Sequence, residues 1–489
     1  MMNLAPHLNY APEKIEHIHI MGICGTGMAA LAGMLRDSGY TITGSDSQVY
    51  PPMSTYLNTL QIPVNNGYGA ENLIPAPDLV IVGNVITRKN PEAIALSGLD
   101  IPYLSFPQAL SHFFIQSRSS LVIAGTHGKT TTCSLLASSL FHAELDPTFM
   151  IGGIVNEFSA NFRLGKGDYF VAEGDEYDTA FFDKESKFLH YRPQIAVITS
   201  IEFDHADIFE NLDAIKSAFR KFVALIPENG VLIANFDDQN VVEIASNAKC
   251  KVLSYGLKHR YNWSFKTGRT ADGKTDFEVT KDGTPWGPIS VAMTGTHNCL
   301  NTLAVCAIMD TLGVSRDAMV KGLDCFKGVK RRQEVRGIIG GITVIDDFAH
   351  HPTAVKETLS ALKMGYPGRR LIAVFEPRTN SSRRAIFQKD YVDSFAASDL
   401  ALIREPIPII GLEDDIFSSA TLAKDINERL HIDALSFKNT DEILNHLKTA
   451  LKEGDVVAIL SNGGFDNIHE RLLNQLRESE SRISHDFLI

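Results

Sequence analysis

The sequence predicts an α/β fold with mostly parallel sheets, divided into about three domains. Two observations carry this. Short, wholly apolar runs such as Leu79-Val80-Ile81-Val82 and Leu121-Val122-Ile123-Ala124 recur along the chain, separated by helical patterns, and many are followed at once by glycine, acidic or amide residues. The 489 residues also exceed what one hydrophobic core supports, at roughly 150 residues per domain.

Residues 1–115 are expected to form a Rossmann-like unit. A strand at Ile18 to Met21 runs into the turn Gly22-Ile23-Cys24-Gly25-Thr26-Gly27. An Ala/Leu/Met-rich helix from Met28 to Ser38 follows, then a strand from Tyr40 to Gly44 ending at Ser45-Asp46. Such a βαβ unit either holds a nucleotide diphosphate on the helix N-terminus, with Asp46 accepting ribose or base hydrogen bonds, or is a purely structural turn. The glycines run G-x-x-G-x-G, the reverse of the dinucleotide fingerprint. Asn84 follows the strand Leu79 to Val82, and the pattern loosens from Pro102 to Ser120, where the first boundary falls.

Residues 116–332 hold the most telling stretch, Ser120 to Thr132. An apolar strand breaks into Gly125-Thr126-His127-Gly128-Lys129-Thr130-Thr131, and a helix is expected from Cys133 to Phe141. Glycines here let backbone N–H groups approach a polyphosphate at the helix N-terminus. Lys129 can reach the outer phosphates and the Thr130 hydroxyl can sit on Mg²⁺. The loop is shorter than the common phosphate loop, because Ile123 stands where that motif has its first glycine. Strands at Tyr169 to Ala172 and Ile195 to Ile198 then lead to Glu173-Gly174-Asp175-Glu176 and Glu202-Phe203-Asp204-His205. Ligands bind beyond the carboxyl ends of parallel strands, so these groups should converge on Lys129. Glu173 and His205 are candidate Mg²⁺ ligands; a histidine like His205 read alone is more often a satisfied loop residue, and it becomes a candidate because it follows a strand of the same sheet. Lys258 to Gly287 reads as hairpins. Asn298 and Asn301 share one face of an apolar helix, Leu300 to Leu312, for which Asn298 could instead be the N-cap. Lys330-Arg331-Arg332 is either a solvated face or a polyphosphate clamp.

Residues 333–489 repeat the α/β pattern as a second Rossmann-like unit. Its strands, Ile342 to Ile345, Leu371 to Phe375, Leu400 to Ile403 and Val456 to Leu460, each end in polar residues, among them Asp347, His350-His351 and Glu376-Pro377-Arg378-Thr379-Asn380. The two histidines lack a zinc-ligand spacing.

Composition bounds the function. A net charge of −12 argues against a general nucleic-acid binder, and the six cysteines include no C-x-x-C pair. No run approaches the ~18 apolar residues of a membrane span, and Met1 to Glu16 lacks the apolar core of a signal peptide. The expectation is a cytoplasmic enzyme without membrane insertion.

The ordered set Gly125 to Thr132, Glu173 to Glu176, Asp204-His205, Gly295-x-His297-Asn298-x-x-Asn301 and Asp346 to Thr353 resembles the Mur ligase family, whose members join amino acids or peptides to UDP-N-acetylmuramic acid using ATP. Phe348-Ala349, Glu376 to Asn380 and Ser461 to Phe465 resemble the branch that attaches the whole tripeptide L-alanyl-gamma-D-glutamyl-meso-diaminopimelate during peptidoglycan recycling. The alternative branch adds free L-alanine in de novo synthesis. The resemblance implies ATP and Mg²⁺ as cofactors, with UDP-N-acetylmuramic acid and the tripeptide as substrates. It implies that Gly125, Thr126, Gly128, Lys129, Thr130, Thr131, Asn298, Arg332 and Asp347 bind ATP, and that Thr130, Glu173 and His205 organise Mg²⁺. Gly22, Gly25, Thr26, Gly27, Asp46 and Asn84 would hold the UDP-sugar. His127 would lie near the muramyl carboxylate, and His351, Arg378 and Asn380 would face the peptide.

Overall fold

The computed structural model describes residues 3–50, 53–204, 206, 208–271, 273–407 and 416–486. A first sheet of five parallel strands comprises β1 (His17–Met21), β2 (Thr41–Asp46), β3 (Val64–Asn66), β4 (Leu79–Val82) and β5 (Tyr103–Ser105), in the order β3-β2-β1-β4-β5. The chain leaves β1 for β2 on one side and returns to β4 on the other, so the Gly22 turn and Asn84 sit at the switch point where such sheets bind ligands. The loosened stretch after Pro102 contains β5, the helix Phe106–Leu110 and a π-helical turn, Ser111–Ile115. A three-residue strand is too short to show a period, which is why the sequence pattern fades there.

The second sheet contains β6 (Ser119–Ala124), β7 (Thr148–Val155), β8 (Ala160–Arg163) and β9 (Tyr169–Gly174). A separate small hairpin follows, β10 (Asp178–Ala180) with β11 (Asp183–Ser186). The sheet resumes with β12 (Ile195–Ile198), β13 (Val231–Asn235), β14 (Lys251–Gly256), β15 (Trp263–Ala271), β16 (Lys274–Lys281) and β17 (Thr284–Val291). Its order is β17-β16-β15-β14-β13-β12-β6-β9-β7-β8. The strands around β6 are parallel and buried on both faces, as continuous Val/Ile/Leu/Ala runs require. The expected hairpins are the antiparallel ladder β15-β16-β17. β6 lies between β12 and β9, a second switch point, and the phosphate turn leaves its carboxyl end.

The third sheet comprises β18 (Glu334–Ile339), β19 (Ile342–Asp347), β20 (Leu371–Phe375), β21 (Leu400–Arg404), β22 (Asp433–Phe437) and β23 (Val456–Leu460), ordered β18-β19-β23-β20-β21-β22. It is parallel apart from β18. The first two sheets share one apolar core. Their contact needs Gly33: a Cβ there would lie 2.7 Å from the Tyr56 hydroxyl and 2.8 Å from the Phe162 ring of β8. Two helices start earlier than their apolar patterns, at Lys129 and Thr296, because their first turns are polar and face the site.

Candidate active site

The phosphate turn owes its shape to two glycines. Gly125 has φ +135° and Gly128 φ +81°, and a Cβ on Gly128 would lie 2.6 Å from Asn301 Oδ1. A Cβ on Gly125 would collide with Thr199 Oγ1. The residues after β12 lace the turn down. Thr126 N–H donates to Ser200 O (2.9 Å), His127 N–H to Ser200 Oγ (3.1 Å), and the Thr199 hydroxyl to His127 O (2.5 Å). Sequence reasoning missed Thr199 and Ser200, which lack any motif beyond following a buried strand.

Lys129 opens the helix Lys129–His142. Its ammonium donates to Gly125 O (2.6 Å) and to Glu176 Oε2 (3.0 Å), with Asp175 at 4.0 Å. Burial pulls this amine down, but Glu176 and Asp175 outweigh it and hold its pKa above the ordinary range. Glu173, at the end of β9, is pushed up by burial and by Asp175 even though it accepts from Gly152 N–H at 2.8 Å. A desolvated carboxylate in that state favours a nearby cation. Arg332 donates to Thr130 Oγ1 (3.1 Å) and lies over the Phe348 ring, 4.8 Å from its centroid. Arg331 bonds Gly463 O (2.7 Å) and Asp346 Oδ1 (3.4 Å). The basic cluster divides: Lys330 is exposed, while both arginines turn inward and tie the phosphate turn to the third sheet. Asp347 is held by N–H groups of Gln333 and Ala349, each at 2.8 Å, while burial raises its pKa against the pull of Arg332.

Asn298 is not an N-cap. Gly295 holds that position, and Asn298 lies inside the helix Thr296–Thr311, donating to Thr294 O (2.8 Å) and accepting from Asn301 (3.2 Å). His127, Gly128, Thr130, Thr131, Asn298, Arg332 and Asp347 all line one cavity of about 1110 Å³ between the second and third sheets.

A cluster spanning those sheets went unread in the sequence. Glu202 Oε2 lies 3.4 Å from His127 Nε2 and 3.7 Å from His351 Nδ1, and accepts from the Thr353 hydroxyl at 2.6 Å. Burial would raise the Glu202 pKa, but its bonds to His127 and Thr353 hold it at about 2; burial and the neighbouring His127 take His351 down to about 4. The signal for Glu202 was available, since it stands just after a central strand in the same polar stretch as His205. His205 itself lies outside the described residues.

The expected peptide group divides. His351 stacks near His127, with ring centroids 4.8 Å apart, after β19. Arg378 follows β20, two strands away, and lines a smaller cavity of about 230 Å³ with Arg383, Arg404, Glu376 and Glu405. Asn380 accepts from Arg383 Nη2 at 3.0 Å. In the first sheet, Asp46 is a brace for the glycine turn: its oxygens accept from Cys24 N–H (2.9 Å) and Gln48 N–H (3.0 Å). Gly25 caps the helix Thr26–Asp37 and is exposed with Thr26, and Asn84 is exposed at the end of β4.

Comparison with known proteins identifies the family. Residues 17–118 match the family described as "Mur ligase family, catalytic domain", 123–309 the "Mur ligase middle domain" and 331–463 the "Mur ligase, glutamate ligase domain". The chain is 39% identical over 460 residues to the UDP-N-acetylmuramate–L-alanyl-gamma-D-glutamyl-meso-2,6-diaminoheptandioate ligase of Escherichia coli (strain K12), covering 94% of this chain and 98% of that one. It is 34% identical to a UDP-N-acetylmuramate–L-alanine ligase of Clostridium tetani, over 92% of this chain and 96% of the relative. The crystal structure of a murein peptide ligase from Psychrobacter arcticus 273-4 superposes with a TM-score of 0.70 at 36% identity, covering 94% of this chain and 98% of that one. The chain belongs to the Mur ligase family.

Proposed function

We propose that this protein is a cytoplasmic, ATP-dependent ligase that joins L-alanyl-gamma-D-glutamyl-meso-diaminopimelate to UDP-N-acetylmuramic acid in peptidoglycan recycling. The observation that carries the reading is the single cavity where the Gly125–Thr131 turn meets Arg332 and Asp347. It offers a polyphosphate a helix N-terminus and the Arg332 guanidinium, with the largely buried Lys129 at the start of that helix held by Gly125 O and Glu176, and leaves room beside them for an acceptor. The tripeptide is favoured over L-alanine by the higher identity to the Escherichia coli relative than to the alanine ligase.

A carboxylate and an amine do not condense at neutral pH. ATP would first phosphorylate the lactyl carboxylate, giving an acyl phosphate. The peptide α-amine would then attack its carbonyl carbon, forming the C–N bond; the tetrahedral intermediate would lose the amine's extra proton and collapse to the amide, breaking the C–O bond to phosphate. Such catalysis is mainly positioning and charge stabilisation. Lys129 would neutralise the transferring phosphoryl, and Arg332 would hold the polyphosphate from the opposite side. Asn298 and Asp347 would retain the nucleoside, and His127 would meet the muramyl carboxylate. The glycine turn from Gly22 to Gly27 would hold the UDP, with Asp46 bracing it. Arg378 would grip a peptide carboxylate. The glycine cradle and the desolvated Glu173 fit a magnesium polyphosphate: Thr130 and Glu173 would hold Mg²⁺, which supplies charge neutralisation. Phosphate release with ATP, UDP-N-acetylmuramate and either acceptor tests the reading. Tripeptide should be preferred in kcat/KM, and a preference for free L-alanine would overturn it.

A further inference from the structure

In the His127, Glu202 and His351 cluster, the 3.7 Å approach of His351 Nδ1 to Glu202 Oε2 is one that no hydrogen bond accounts for. The three ligand atoms lie within 4.8 Å of one another. Four-coordinate zinc with bonds of about 2.0–2.2 Å requires ligand-to-ligand edges of about 3.3–3.5 Å. The two edges to Glu202, 3.4 and 3.7 Å, nearly meet that requirement, so only the edge between the histidines must shorten.

The surroundings point the same way. His351 Nε2 faces Phe203 O at 3.3 Å, which sets the tautomer: that nitrogen donates, and Nδ1 carries the lone pair. The Nδ1 lone pair accepts only a long bond, 3.4 Å, from Thr353 N–H, and otherwise faces a carboxylate oxygen. Two lone pairs directed at each other in a half-buried space are relieved by a cation between them. A ring nitrogen bonded to a backbone carbonyl with the other free to ligate is also how metal-bound histidines are held. The Thr353 hydroxyl orients the carboxylate as an outer partner would. His127 and Glu202 line the large cavity, so an ion has a path in and a fourth position stays open to solvent.

We propose that His127, Glu202 and His351 form a zinc-type cation site, separate from Thr130 and Glu173, that clips the phosphate turn to the third domain when filled. Two imidazoles and one carboxylate suit zinc or cobalt rather than magnesium.

The test is isothermal titration of chelator-treated, untagged full-length protein with Zn²⁺, in excess Mg²⁺ and without nucleotide. One equivalent should bind, and Co²⁺ should give the visible bands of a tetrahedral complex. His351→Ala should weaken Zn²⁺ binding by at least ~100-fold, and His351→Cys, which restores a ligand, should recover it. Circular dichroism of both variants reports folding. The proposal is overturned if the wild-type protein takes up no stoichiometric Zn²⁺, or if folded His351→Ala binds it as tightly as the parent. No ligase substrate enters this assay, so its failure leaves the ligase reading untouched.

Discussion

Replacing Lys129 with alanine separates two roles that the structure gives one side chain. The Lys129 ammonium and the Glu176 carboxylate are 12% and 3% exposed and 3.0 Å apart, with Asp175 at 4.0 Å. Removing one partner of a buried pair costs about 3–5 kcal/mol, because the other charge stays desolvated. The lower end applies here, since Asp175 and Glu176 keep other partners. In a domain of about 200 residues, 3 kcal/mol lowers the melting temperature by roughly 6–12 °C. Turnover should fall further, by about 10²–10³, the usual cost of losing one charge from a transition state. Adding Glu176→Gln removes the stranded carboxylate and should return about 1–2 kcal/mol of stability but none of the rate. Calorimetry and phosphate release on the wild type, both single variants and the double variant complete the cycle. If Glu176→Gln restores turnover along with stability, Lys129 is only a counter-ion, and its role as phosphoryl neutraliser is wrong.

His127→Ala should lower turnover far more than ATP affinity, measured by phosphate release and equilibrium nucleotide binding; equal losses would mean the residue merely shapes its turn. Gly125→Ala forces a side chain into φ +135° and onto Thr199, so ATP binding should fall at least tenfold, whereas Gly39→Ala, also at positive φ but with open space around its Cβ, should leave it unchanged. Acid should destabilise the fold earlier than carboxylate titration alone predicts. His351, faced by His127, Asp204, Glu202 and His350, has its pKa lowered from 6.5 to about 4, so stability is lost as pH falls between those values. At 1.36 kcal/mol per unit the loss amounts to about 3 kcal/mol. Glu202, held at about 2, extends the loss below its ordinary 4.5. His351→Gln should flatten the melting temperature between pH 6.5 and 4.5, and parallel profiles for variant and parent would refute the assignment.

What the sequence made legible follows from range. Central strands such as β4, β12 and β23 announce themselves because both faces are buried and every residue is apolar. The phosphate turn is legible because Gly125 and Gly128 answer local steric demands within a few residues of Lys129. Edge strands such as β3 and β22 carry polar residues on their open sides and show no such run. Asp46 lies where a ribose acceptor is expected, yet its oxygens are bound to backbone N–H groups from two neighbouring segments, a use that only the folded turn reveals. The hardest group was His127 with Glu202 and His351. Each stands at the carboxyl end of a different strand, β6, β12 and β19, in two different sheets. The strand-end rule brings the first two together, since β6 and β12 are hydrogen-bonded neighbours. It says nothing of the third, whose approach depends on how the third sheet docks. Arg331 and Arg332 contribute to that docking through Gly463, Asp346 and Thr130, as do the bonds of Thr353 to Glu202 and of His351 to Phe203 O. A site divided in this way is complete only when the domains are joined, which suits a reaction that must keep an acyl phosphate from water until its amine arrives.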